Sequence, residues 1–151
     1  MSWLARLTEL GIELPAVVPP VAAYVPAVRT GNLVYTSGQL PMVKGEMAAK
    51  GLVGGPVTAE MAKDQASVCA LNALAAIDAL VGLDTVVRVV KVVGFVASAP
   101  GFTGQPGVIN GASELLGEVF GDAGKHARSA VGVAALPLDA PVEVELIVEV
   151  A

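Results

Sequence analysis

Hydrophobic and polar positions alternate near the end of the chain. From Val142 to Val150 every second residue is apolar, and glutamates occupy most of the positions between. Successive side chains of a β-strand point to opposite faces, so this alternation predicts a strand with one core face and one polar face. The segment Val86–Ala97 is apolar almost throughout and rich in β-branched residues, which predicts a buried central strand. Its two charged residues, Arg88 and Lys91, are expected on opposite faces.

Two longer segments carry apolar residues at helical spacing. The first lies between Thr58, which can cap a helix start, and Gly82, which stands where a C-terminal glycine is expected. The spacing predicts a second helix over Pro106–Phe120, although Gly111 and Gly117 weaken it.

The N-terminal portion differs from the rest of the chain. Apolar residues at helical spacing predict a short amphipathic helix that ends at Gly11; they are Trp3, Leu4, Leu7 and Leu10. Prolines at positions 15, 19 and 20 then predict an extended connector.

Two short apolar segments after the connector predict a β-hairpin. Tyr24–Val28 and Leu33–Ser37 flank Arg29–Asn32, which contains a turn glycine. The glycine-rich passage 45–55 leaves room for one short strand around Leu52.

One further strand is predicted over Ala127–Leu136, before the last one. The predicted order is therefore three strands, helix, strand, helix and two strands. This order favours an α+β fold in which two helices pack on one face of a mixed sheet. The other face needs cover, and a second copy of the chain is the simplest candidate. No internal repeat divides the chain, so we expect a single domain over 1–151, with 1–20 as helix and connector.

Composition adds to the argument for subunit contact, because 54% of the residues are hydrophobic and only 15% are charged. No stretch provides the roughly 20 uninterrupted apolar residues of a membrane span. Prolines break Ala16–Val28, and Met61–Val81 carries several polar residues: Lys63, Asp64, Asn72 and Asp78. The N-terminus lacks the pattern of a secretion signal, so a cytoplasmic protein without a membrane partner is expected.

Charge and rare residues narrow the function classes further. The net charge of −5 and the lack of a basic cluster disfavour nucleic acid, whose binding depends on neutralised phosphates. Cys69 is the only cysteine, which excludes an internal disulfide and indicates a buried structural thiol. His126 is the only histidine, and no carboxylates are spaced to form a metal site with it.

Arg128 is the first candidate for chemistry. The period of two places it on one strand face with Ala130, Gly132 and Ala134, which leaves space in front of its side chain. A planar guanidinium in such a space can hold a small carboxylate through two parallel hydrogen bonds. The alternative is that Arg128 pairs with an acidic side chain and that the small residues only let layers approach.

Glu143 is the second candidate, as an acid, a base or a group that orients water if burial raises its pKa. Glu145 and Glu149 have the same parity, and a solvated polar face is the alternative for all three. Tyr24, Ser37 and Asn110 can offer a hydroxyl or an amide, but as isolated residues they indicate little.

Two sets of motifs resemble the RidA/YjgF family of reactive-intermediate deaminases. The N-terminal set is Tyr24-Val25-Pro26, Gly31-Asn32-Leu33 and Thr36-Ser37-Gly38-Gln39-Leu40-Pro41. The C-terminal set is Ala127-Arg128-Ser129-Ala130-Val131-Gly132-Val133, Ala135-Leu136-Pro137 and Val142-Glu143-Val144-Glu145. The C-terminal set is the more specific, and the resemblance covers about residues 20 to 150.

The resemblance implies a chorismate-mutase-like (YjgF-like) fold and a homotrimer with clefts between subunits. It also implies hydrolysis of enamine and imine acids, such as 2-aminoacrylate, to 2-oxo acids and ammonia, with no metal or organic cofactor. By the same resemblance Arg128 anchors the substrate carboxylate, Glu143 positions or activates water, and other residues line the cleft. These are Tyr24, Ser37, Asn110 and Ala130, the last of which replaces a cysteine frequent in the family.

Two further departures from the family stand out. The helix and connector before Tyr24 are longer than in compact members and could cover a cleft. His126 occupies a position where proline is frequent, and both a strand-entry role and a proton-transfer role remain open. These differences indicate a divergent branch whose substrate can differ from 2-aminoacrylate.

Three functions are therefore compared. The first is a cofactor-free enamine/imine deaminase, and the second is a trimer that binds a small carboxylate for regulation or buffering without turnover. The third is ribonuclease or translation-inhibitor activity, with which family members are also associated. It ranks last because an acidic chain without a basic aromatic patch is poorly suited to hold RNA.

Overall fold

Residues 2–17, 19–20 and 23–151 are described by the computed structural model. Over these residues, three helices and five strands make up the fold. In chain order they are α1 (Trp3–Glu9), β1 (Ala27–Thr30), β2 (Leu33–Thr36), α2 (Ala59–Val81), β3 (Val86–Ala97), α3 (Gln105–Phe120), β4 (Ala127–Val133) and β5 (Val142–Val150). Positions 18, 21 and 22 of the predicted connector lie outside the described residues.

The five strands form one mixed sheet in the order β1-β2-β5-β3-β4. All neighbours are antiparallel except β3 and β4, which run parallel. The predicted alternation in β5 is confirmed, since its five apolar positions are at most 1% exposed and the residues between them are half-buried. The polar face of β5 thus lies on the side of the sheet that none of the described helices covers.

α2 and α3 pack together on the other face, as predicted. Thr58 caps α2 through its side chain, which accepts from the Met61 N–H, and Gly82 ends the helix. α2 has the length and composition of a membrane span, but 56% of its most apolar window is buried inside the fold. Small side chains on α2 let the helices and the sheet approach closely, and one core results.

α1 is held at one end of this core, which confirms the predicted N-terminal helix. The Trp3 indole donates to the Val86 carbonyl at 2.8 Å, and its ring packs edge-on against Phe120 at 5.0 Å between centroids. Arg6 donates to the carbonyl of Glu118 near the C-terminal end of α3. α1 therefore packs against the C-terminal end of α3.

The hairpin is confirmed with tighter boundaries than predicted. The first strand starts at Ala27 instead of Tyr24, because Pro26 cannot donate a ladder hydrogen bond. The turn is only Gly31-Asn32, with Gly31 at φ 57°, a conformation that glycine adopts without strain.

Two predicted strands differ from the structure. Instead of a strand around Leu52, Val53 forms isolated bridges with Val57 and Ser98. The strand predicted over 127–136 ends at Val133, because the chain then leaves β3 and enters the turn at Pro137–Asp139.

The prediction that Arg88 and Lys91 lie on opposite faces is wrong. Arg88 pairs with Glu149 and Lys91 with Ile147, and both partners lie on the open face of β5. Irregularities in the β3–β5 register, one between the two residues, shift the parity of β3. Both charged side chains therefore lie on the open face.

Candidate functional site

The face that Arg128 occupies is set by its sheet partners. Arg128 is paired with Val92 on β3, and Val92 is paired with Leu146 on β5. Val92 and Leu146 are buried in the core, so Arg128 lies on the face that the helices cover. Because β4 is an edge strand, the half-buried Arg128 side chain lies at the rim of that core.

α3 holds the Arg128 guanidinium through neutral oxygens. Nη1 donates to Asn110 Oδ1 at 2.8 Å and to Ser113 Oγ at 3.2 Å, and Nη2 is 3.4 Å from the Pro106 carbonyl oxygen. Within residues 2–17, 19–20 and 23–151, no carboxylate forms an ion pair with Arg128. The ion pair considered as an alternative is thus absent from the described part of the chain.

One edge of the guanidinium remains available. Both Nη1 protons are used by Asn110 and Ser113, and one Nη2 proton faces Pro106. Nε–H and the second Nη2 proton share an edge for which the described residues supply no acceptor, and this edge can hold a carboxylate through two parallel hydrogen bonds.

The space predicted next to Arg128 is partly filled. Ala130 shares its face and packs against the core, and a β-carbon at Gly132 would lie 2.7 Å from Nε2 of Gln105. Gln105, the first residue of α3, donates from Nε2 to Ser98 Oγ at 3.1 Å and to the Phe102 carbonyl at 2.8 Å. The small residues therefore leave room for α3 and for the Gln105 carboxamide. Neither Gln105 nor Ser113 was predicted from the sequence.

Glu143 belongs to a second group of residues. It is paired with Phe95 on the open sheet face and is half-buried. Burial, and then the charge of Glu145, raise the pKa of the Glu143 carboxyl above its ordinary range. Its carboxylate packs against the backbone of Gly38, just beyond the end of β2. A half-buried carboxyl with a raised pKa can exchange a proton or hold a water.

Ser37 connects Tyr24 to the second group. The Ser37 hydroxyl donates to the Val25 carbonyl at 2.6 Å, and its N–H donates to the Pro26 carbonyl at 2.8 Å. These bonds hold the segment after Tyr24 alongside the end of β2, and Tyr24 itself is 46% exposed.

The predicted site residues thus fall into two half-sites. The arginine half-site consists of Arg128, Asn110 and Ala130, and lies on the helix side of the sheet edge. On the open side we group Glu143 with Ser37, which precedes the Gly38 that its carboxylate contacts, and with Tyr24, which precedes the Val25 whose carbonyl accepts from Ser37; these three are called the glutamate half-site. β3 separates β4 from β5, so a single copy of the chain does not bring Arg128 and Glu143 together.

Neither of two shallow concavities lined by described residues coincides with a half-site. One, of about 310 Å³, is lined by Met42, Met47 and Leu138 among others, and one of about 430 Å³ lies between α1 and Ile12–Leu14. Within the described part of the chain, no three His, Cys, Asp or Glu residues are grouped so that they could hold a metal ion.

A five-stranded mixed sheet with two helices on one face and an arginine on its edge strand defines a small α+β protein. The family described as Endoribonuclease L-PSP matches residues 15–150. The chain belongs to this family, which is the RidA/YjgF family predicted from its motifs.

Individual proteins agree with this assignment. A structure of the protein Atu1372 of unknown function from Agrobacterium tumefaciens is 48% identical and has a TM-score of 0.90, over 99% of this chain and 92% of that one. The structure of the yjgF gene product of E. coli is 30% identical with a TM-score of 0.63, over 90% of this chain and 93% of that one. A 2-iminobutanoate/2-iminopropanoate deaminase of Dermatophagoides farinae is 33% identical, over 91% of this chain and 93% of the relative.

Proposed function

We propose that this protein hydrolyses enamine or imine acids to 2-oxo acids and ammonia in clefts between the subunits of a homotrimer. The observation that carries the proposal is the half-buried Arg128 guanidinium, which α3 holds through neutral oxygens only. Its charge has no carboxylate partner among the residues described, and one edge is open. A small carboxylate is the ligand that best matches such a group.

The reaction requires little from the protein beyond orientation. Protonation of the enamine carbon gives a 2-imino acid, water adds to its electrophilic C2, and the resulting amino alcohol loses ammonia to leave a C2 carbonyl. No electrons are gained or lost, so neither a metal nor an organic cofactor is needed. Placement of the carboxylate and of one water beside C2 accounts for most of the catalysis.

Glu143 is the group that we assign to the water and to proton transfer. Its raised pKa increases the fraction of carboxyl that can donate a proton near neutral pH, and its ionised form can orient the attacking water. Tyr24 and Ser37, which lie in the same half-site, line the cleft around the substrate.

The two half-sites support a cleft between subunits. Arg128 and Glu143 lie on opposite faces, so a complete site needs Arg128 of one copy and Glu143 of the next. The open sheet face also exposes apolar side chains, with Val28, Tyr35 and Val131 each at least 40% exposed. Burial of this face in a trimer would remove that apolar surface from water.

The deaminase relative supports this reaction class, and the family description points to RNA instead. We rank RNA lower, because a chain with net charge −5 repels the phosphates that supply most RNA affinity.

The deciding experiment measures 2-oxo acid release from imines that an amino-acid oxidase produces. The native protein should accelerate release, and Arg128→Ala should abolish both the acceleration and the binding of 2-oxobutyrate in calorimetry. Arg6→Ala is the matched control, since Arg6 also donates to an α3 carbonyl but is already paired with Glu9. Unchanged 2-oxobutyrate binding by Arg128→Ala would refute the assignment, and binding without acceleration would favour a carboxylate-binding trimer.

The trimer is tested separately by light scattering or native mass spectrometry. The expected mass is three times 15.2 kDa. A monomer at micromolar concentration would contradict the site between subunits.

A further inference from the structure

Ser113 connects Arg128 to the only histidine of the chain. Ser113 Oγ is 3.2 Å from Arg128 Nη1 and 2.9 Å from His126 Nε2. His126 Nδ1 lies 2.6 Å from the carbonyl oxygen of Gly124. The three side chains and this carbonyl form one continuous series of hydrogen bonds.

When the imidazole is neutral, the chemistry of the groups sets the direction of every bond in the series. The Gly124 carbonyl only accepts, so Nδ1 of the neutral imidazole carries the proton and Nε2 keeps its lone pair. The Ser113 hydroxyl therefore donates to Nε2, and its oxygen accepts from Arg128. The histidine tautomer thus determines how Ser113 is oriented towards the guanidinium.

The far end of the series is packed closely against α3. Gly124 is buried, and a β-carbon at this position would clash with the carbonyl oxygen of Leu116 in α3. The acceptor for His126 is therefore fixed against the helix that also carries Ser113.

We propose that Ser113 and His126 are positioning residues that hold the Arg128 guanidinium with its Nε/Nη2 edge towards the carboxylate of the ligand. This inference rests on the proposed function. Asn110 is exposed and accepts only one Nη1 proton, so it leaves the rotation of the guanidinium less restricted. The half-buried Ser113 accepts the other proton and fixes the plane. The series thereby reduces the conformational freedom that Arg128 would lose on binding.

Binding of 2-oxobutyrate, measured by calorimetry, is the first test. Ser113→Ala and His126→Ala should each weaken binding about three- to tenfold, which is the value of one hydrogen bond. The affinity of the double variant for 2-oxobutyrate should be no lower than that of the single variant that binds less tightly, because the two residues act in series. Losses that multiply would overturn the proposal.

Conservative variants separate positioning from general damage to the fold. Ser113→Thr keeps the hydroxyl, and His126→Gln keeps an acceptor for it, so both should restore binding to within about twofold of wild type. Lys125→Ala, next to His126 in an exposed ion pair with Asp122, should leave binding unchanged. Failure of both conservative variants in proteins with unchanged thermal unfolding would count against the hydrogen-bond series.

The ring of the single histidine gives a readout that needs no ligand. At alkaline pH, where imidazole is neutral, the ¹⁵N shifts should show a protonated Nδ1 and an unprotonated Nε2, and Ser113→Ala should shift only the Nε2 signal strongly. An Nε2–H tautomer in a protein that binds 2-oxobutyrate would refute the inference alone. Absence of 2-oxobutyrate binding by the native protein would refute the proposed function, and the positioning role with it.

Discussion

Gly38 lies directly against the Glu143 carboxylate, so that a β-carbon at position 38 would be 2.6 Å from Oε1 of Glu143. The atoms it would meet belong to the flexible end of a side chain, which can move away at low cost. Glycine at position 38 is therefore needed for the position of the Glu143 carboxylate and not for the stability of the fold.

Gly38→Ala should displace the Glu143 carboxylate. We expect at least a tenfold loss of imine hydrolysis, because a small misplacement of a catalytic group has a large effect on rate. The free energy of unfolding should change by less than about 1 kcal/mol, since no core side chain is altered. Parallel measurements of rate and of urea denaturation check both parts, and an unaffected rate would exclude Glu143 from the chemistry.

Two glycines of α3 should respond in opposite ways to the same substitution. A β-carbon at Gly111 would clash with the Lys63 carbonyl of α2, whereas one at Gly117 meets nothing within 4 Å. Gly111→Ala should destabilise the protein by about 1–3 kcal/mol, because the helices must separate. Gly117→Ala should stabilise it by about 0.5–1 kcal/mol through helix propensity. Thermal and urea unfolding of the two variants are the measurement, and equal effects would show that the helices approach less closely than described.

Glu143 should make stability depend on pH in a defined direction. Burial and the charge of Glu145 raise its pKa in the folded protein. The folded state therefore holds this proton more tightly than the unfolded state, and stability falls as pH rises from the ordinary glutamate pKa through the raised value. Glu143→Gln cannot ionise, so it should be more stable than wild type at neutral pH, and this difference should vanish below the ordinary pKa.

Urea denaturation over a series of pH values measures this difference. Glu118→Gln, an exposed change on α3, serves as the control. A Glu143→Gln variant that is less stable than wild type at neutral pH would contradict the assigned cause of the pKa shift.

Local sequence patterns correctly predicted the helices and strands whose ends are marked by capping residues or by a change in hydrophobic pattern. Thr58 and Gly82 predicted α2 because capping depends on residues within one turn of the helix end. The bounds of β3 and β5 agree with their hydrophobic patterns, since burial on one or both faces selects apolar side chains at every core position.

The strand expected around Leu52 does not form, because strand formation depends on pairing with a neighbour. A strand exists only if a neighbour pairs along its length, and Val53 finds just isolated bridges in this passage. The predicted faces of Arg88 and Lys91 were wrong because β-bulges arise from the pairing of two strands and cannot be detected in the sequence of one strand.

The candidate site shows the same division. Arg128 and Glu143 could be selected from the sequence because their motifs resemble a known family, and their parity along each strand is a local property. Parity does not say whether these residues lie on the helix-covered face or on the open face of the sheet. That depends on strand order and on the side that α2 and α3 cover.

The sequence by itself determined the helices, the alternation of β5 and an arginine among small residues, because these depend on neighbours a few positions away. Only the tertiary structure decided that Arg128 and Glu143 lie on opposite faces and that Ser113 connects Arg128 to His126. The physical reason is that these relationships come from packing between segments far apart in the chain, where local periodicity carries no information.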